Sequence, residues 1–171
     1  METKTLSFRT AQATALFLSA AASGVSLSLS ALVIPRLLES PTPLMLQQWA
    51  RSFHRSRWMV LSATESAAAA YLYLSYRAGL HRAPTGRLYL AAVALCLGIV
   101  PYTAVALIPI NRKLFGRLEE TKTLALTEEV DEDAIAREEG SKYLVDQWGL
   151  MNLGRTVLIT AASVVGLVAT L

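Results

Sequence analysis

The sequence has little with which to hold a cofactor. Of its 171 residues, one is cysteine (Cys96) and two are histidines (His54 and His81). A lone thiol cannot close an intrachain disulfide, and no Cys/His spacing suits a metal or an iron–sulfur cluster. HExxH, GxGxxG and Walker motifs are all missing. Charge is also scarce. Charged residues make up 17% of the chain and hydrophobic residues 53%, against roughly 25% and 45–50% in soluble domains. A net charge of +3 is no nucleic-acid signature, so no nucleic-acid partner is expected. No Asn-x-Ser/Thr acceptor, internal repeat or low-complexity tract occurs.

The apolar residues fall in long runs. Residues 10–34, 58–76, 88–110 and 149–171 each approach the ~20 residues that cross a bilayer core. The pattern predicts an all-α fold: a four-helix transmembrane bundle, one membrane domain over 1–171, integral and multi-pass. The N-terminal run follows Lys4 and Arg9 but continues to Ile34. That is longer than a signal core needs, so a retained helix is expected. Basic residues flank the runs on both sides. Orientation, organelle and self-association into a homo-oligomer are therefore left open.

The connections differ in kind. After Pro35, Pro41 and Pro43 mark a turn, and residues 44–54 (LMLQQWARSFH) predict a short interfacial helix anchored by Trp49 and Phe53. Pro101 is expected to kink the third helix and free a carbonyl. Residues 111–147 hold ten acidic and six basic side chains and predict a solvated helical excursion. The acidic run at 128–133 is read as a solvated face.

The informative residues are polar ones inside apolar runs. Arg155 lies a few residues into the last run, where a charge costs roughly 2.5–3.5 kcal/mol at mid-bilayer and marks a bundle interior or a site. Trp148, Asn152 and Arg155 stand at i, i+4 and i+7, on one helical face. Glu65, entering from the same side on the second helix, is expected ~10 Å below the surface, level with Arg155, where the two would pair or share a site. Each of these residues has a plainer reading: a register-fixing ion pair, a belt aromatic, an interhelical amide bond. His54, near the start of the second run, is the best-placed imidazole for proton transfer. Ser19, Ser23, Ser26 and Ser30 share a face of helix 1, suited to close helix packing and compatible with a hydroxyl-lined pocket.

Three stretches carry a resemblance. Residues 24–38 (GVSLSLSALVIPRLL), 101–118 (PYTAVALIPINRKLFGRL) and 148–155 (WGLMNLGR), with the Trp49 segment, resemble the anthrone oxygenase family of small four-span membrane proteins. The Trp-x3-Asn-x2-Arg signature is the most specific of them. The resemblance implies an oxidoreductase of secondary metabolism, a monooxygenase of polyketide biosynthesis. Such an enzyme inserts oxygen at an anthrone methylene to give the quinone, with O2 as oxidant and no cofactor. The family's residues carry over as Pro109, Asn111, Trp148, Asn152 and Arg155. With Glu65 and His54 added from their positions in the sequence and not from the family, the catalytic candidates are Arg155, Asn152, Glu65 and His54, and the substrate contacts are Trp148, Asn111 and Tyr102. No metal site is expected. The partners are a small aromatic substrate, O2 and the lipid bilayer. Two rival readings are a non-catalytic tetraspan scaffold of a biosynthetic complex and a small-molecule carrier.

Overall fold

A computed structural model describes residues 2–79, 84–127 and 134–171. Among them there is no strand. Helix α1 (Glu2–Ser28) passes through a π turn (Leu29–Val33) into α2 (Ile34–Leu38). A short bend leads to α3 (Thr42–Arg77), with Pro43 in its first turn, where the missing N–H costs nothing. Gly79, at φ +92°, closes α3 in the left-handed conformation that glycine adopts freely. The third rod is α4 (Pro84–Tyr102), a second π turn (Thr103–Leu107) and α5 (Ile108–Thr127). The fourth is α6 (Ala134–Thr170). His81 and the acidic run at 128–133 lie outside the described residues.

The two π turns have one cause. In each, an N–H reaches five residues back: Ile34 to Leu29, and Ile108 to Thr103. In each, the next residue is a proline, Pro35 or Pro109. A proline ring in a regular helix clashes with the carbonyl four residues earlier and leaves it unbonded. The wider turn makes room for the ring. The irregularity expected at Pro101 thus falls after it, between Pro101 and Pro109.

The rods pack in a ring, α1 on α3, α3 on α4, α4 on α6 and α6 on α1. The α1–α6 pair is antiparallel and laced by side-chain hydrogen bonds. Ser23 Oγ meets Thr160 Oγ1 at 2.6 Å, and Thr156 Oγ1 donates to Ser26 Oγ at 2.9 Å. Ser30 Oγ donates to the Gly149 carbonyl at 2.9 Å. The serine face of helix 1 is a packing face, closed by hydroxyls where apolar side chains alone would hold helices weakly in lipid.

Three rods, Leu6–Leu38, Pro84–Thr123 and Arg137–Thr170, are long and apolar enough to cross a membrane. Large apolar side chains such as Phe17, Val105 and Val157 point outward from them, as a lipid solvent permits. The second expected span, 58–76, lies in α3, which is not among the three. Its alanines, serines, tyrosines and Glu65 make it less apolar. The interfacial helix expected over 44–54 is also not separate: α3 runs unbroken from Thr42 to Arg77. No residue between Pro43 and Arg77 breaks a helix, so the amphipathic stretch simply continues.

Candidate functional site

At the α2 end of the bundle, aromatic side chains gather. Trp49 and Phe53 of α3 stack with ring centres 5.6 Å apart, and Phe115 of α5 lies 5.1 Å from Trp49. Trp148 of α6 sets its edge against Trp49 at 6.0 Å and Phe53 at 6.5 Å. Beside this cluster lies a cavity of about 410 Å³, within the roughly 300–1,000 Å³ typical of small-molecule sites. Phe53, Arg57, Val60 and Leu61 of α3 form one wall. Ile99, Val100, Thr103, Ala104, Leu107, Ile108 and Asn111 form the second, and Trp148 and Arg155 of α6 the third. The second π turn is therefore part of the wall, a common place for such turns.

Arg155 is buried, with 8% of its surface exposed, and its Nε has no hydrogen-bond partner among the described residues. No ion pair reaches it there either. A guanidinium carries five donors and no acceptor, so it needs an acceptor that the described protein does not supply. Asn111 offers a second donor. The Trp148 indole can only donate, and it donates to Asn111 Oδ1 at 2.8 Å. That bond orients the amide and leaves the two Nδ2 protons without a partner among the described residues. Arg57 is the third donor group. It is exposed, with Cζ 4.7 Å from the Trp58 ring centre and 5.9 Å from that of Phe53. The lining residues include no carboxylate and no imidazole. The walls are apolar and aromatic, and their polar groups are mainly donors.

Four expected site residues stand elsewhere. Asn152 does not line the cavity. It lies about 60° around α6 from Arg155 at 3.6 residues per turn, which turns it toward α1. There Nδ2 donates to Ser30 Oγ at 2.8 Å and to the Ser26 carbonyl at 2.9 Å. Tyr102 also lies behind the wall, its Oη donating to the Met151 carbonyl at 2.7 Å. Its ring lies over Gly154, where an added Cβ would fall 2.6 Å from the phenol Cζ. Glu65 is exposed on the outer face of α3, one residue beyond buried Thr64, and makes no pair with Arg155. Arg155 shares its level with Val60, which lines the same cavity, so Glu65 differs from it both along α3 and around it. His54 is exposed at the edge of the aromatic cluster, 5.6 Å from the rings of both Phe53 and Phe115.

Phe53, Arg57 and Leu61 are lining residues that the sequence reading left unassigned to the site. They stand four apart, a stripe visible only once α3 is read as continuous across residue 57.

Comparison with known proteins supplies the family. The family model described as anthrone oxygenase matches residues 49–165, a stretch holding every residue of the cavity wall. The chain belongs to the anthrone oxygenase family. It is similar to an anthrone oxygenase of Claviceps purpurea, 34% identical over 149 residues, which cover 84% of this chain and 79% of that one. Anthrone oxygenase AgnL2 of Paecilomyces divaricatus is 26% identical over 94% of this chain and 95% of its own. Anthrone oxygenase nsrD of Aspergillus novofumigatus is 38% identical over 61% of this chain and 65% of its own. No solved structure matches. As a member of the anthrone oxygenase family, the chain is an enzyme of the oxidoreductase class.

Proposed function

We propose that this protein is a membrane-bound oxygenase that converts an anthrone-type polycyclic aromatic to its quinone with O2. The observation that carries the reading is Arg155, a buried guanidinium without a partner among the described residues, at the wall of an apolar cavity. An uncompensated buried charge costs several kcal/mol. An acceptor supplied by a ligand would compensate it. An anthrone is planar and apolar with one carbonyl oxygen, and its methylene protons are acidic because the anion delocalises onto that oxygen.

The proposed roles follow. Arg155 and Asn111 Nδ2 donate to the ketone oxygen and stabilise the charge that gathers there as the methylene proton leaves. Trp148 and Phe53 hold the rings. No lining residue is a base, so the proton leaves through water toward the edge of the aromatic cluster, with exposed His54 as its acceptor, and Glu65 has no part. The enolate then passes one electron to O2, and the resulting radicals combine at the former methylene carbon. Loss of water from that hydroperoxide gives the quinone. One oxygen atom ends in the new carbonyl, and the other leaves as water with both methylene hydrogens. The four electrons of the carbon's oxidation reduce one O2, so the sequence needs no cofactor.

A scaffold role gives no reason for a cavity walled by a guanidinium that is unpaired among the described residues. The test is oxidation of an anthrone by the protein in lipid vesicles, compared with Arg155→Ala.

A further inference from the structure

The cavity has a floor and a rim, and the two differ. The floor is buried: Arg155, Trp148, Leu107, Ile99 and Val60 are each at most 8% exposed. The exposed lining residues belong to two stripes. On α3 these are Arg57 and, half-buried, Leu61, four residues apart. On the third rod they are Val100, Ala104 and Ile108, again at intervals of four, with Val100 54% and Ile108 39% exposed. Residues four apart lie one above the other on a helix. The rim is thus a slot between two neighbouring helices, about 12 Å long at 1.5 Å per residue, running along the helix axes. Ala104, the smallest side chain of the longer stripe, stands at its middle.

The slot lies within the apolar rod Pro84–Thr123. With that rod across a bilayer, an opening rimmed by Leu61, Val100, Ala104 and Ile108 would face hydrocarbon. Arg57, the charged residue of the rim, packs on Trp58 and Phe53, an Arg–aromatic pairing suited to the headgroup layer.

We propose that the substrate enters sideways, from the bilayer, through the slot between α3 and the α4–α5 rod. This rests on the oxygenase reading for the identity of the guest. A polycyclic phenol dissolved in the membrane keeps its rings in the apolar layer and its hydroxyls near the headgroups. It meets Arg57 with an oxygen and slides its rings past Ala104 to the Arg155 floor.

The full-length protein in phosphatidylcholine vesicles tests this with two readouts. One is anthrone turnover. The other is the rate at which an anthraquinone quenches tryptophan fluorescence, which needs no catalysis. Ala104→Phe plugs the slot. It should lower kcat/KM and the quenching rate at least tenfold, whereas Val164→Phe, at a lipid-facing position of α6 away from the slot, should leave both unchanged. Val100→Phe repeats the plug should Ala104→Phe fail to fold. For the wild type, added empty vesicles at fixed total substrate should slow the subsaturated rate in proportion to the added lipid. Folded plug variants with wild-type rates, or a rate indifferent to added lipid, would overturn the side entrance. A wild type that shows plug-sensitive quenching but oxidises no anthrone would support the entrance and reject the oxygenase reading.

Discussion

Trp148 donates its indole N–H to Asn111 Oδ1 at 2.8 Å, across the α5–α6 contact. Through that bond Asn111 can turn only its Nδ2 protons elsewhere. Asn111→Asp keeps the acceptor that the indole needs and replaces the free donor with an acceptor. If the amide donates to the developing oxyanion, turnover should fall about 10²-fold, the order seen on removing one such donor. Rates per folded molecule in vesicles measure this, and an Asn111→Asp enzyme at wild-type speed would remove Asn111 from the chemistry.

Arg155→Lys separates charge from shape. The ammonium keeps the positive charge but lacks the planar fork of donors. Partial recovery relative to Arg155→Ala is expected, with both variants binding the substrate more weakly than wild type. Full recovery by lysine would show that charge alone matters at this position.

Asn152 should behave differently from its helix neighbours. Its amide ties α6 to Ser26 and Ser30 of helix 1. Interhelical hydrogen bonds in membranes are worth about 0.6 kcal/mol each on average. With two such bonds lost, Asn152→Ala should lower thermal stability by about 1–2 kcal/mol. Turnover per folded molecule should stay close to that of wild type. A stable Asn152→Ala protein with lost turnover would return Asn152 to the reaction.

Gly154 is glycine because Tyr102 occupies its side-chain space. Gly154→Ala forces the phenol away from the Met151 carbonyl and shifts the turn that carries Arg155. Overpacking of this kind costs typically about 1–3 kcal/mol. Thermal stability and turnover should both drop, and Tyr102→Leu in the same chain should restore part of each. Equal stability of Gly154→Ala and wild type would show that the contact yields without cost.

Helix content and the packing role of the serine face were legible in the sequence, because apolar runs and three-to-four-residue spacing report directly on helical faces. Burial of Trp148, Asn152 and Arg155 was legible for the same reason. Their separate destinations were not. Asn152 is only a fraction of a turn from Arg155, and which neighbour each one meets depends on where α1 and the α4–α5 rod stand around α6. Glu65 failed on a related point, since counting residues from a helix end fixes neither the direction around the helix nor the level of its neighbours. Arg57 was hidden by a boundary: reading a helix start at residue 58 cut the Phe53–Arg57–Leu61 stripe in two. The π turn after Tyr102 left only its two prolines as a sign.

The most direct test supplies an anthrone and 18O-labelled O2 to wild-type and Arg155→Ala protein in matched vesicles, with quinone formation followed per folded molecule. The account predicts that wild type accelerates the oxidation and that one labelled atom appears in the new quinone carbonyl. It also predicts that Arg155→Ala, still folded, is about 10²–10³ times slower. Wild-type turnover by the folded Arg155→Ala protein, or a carbonyl oxygen drawn from water and not from O2, would contradict it.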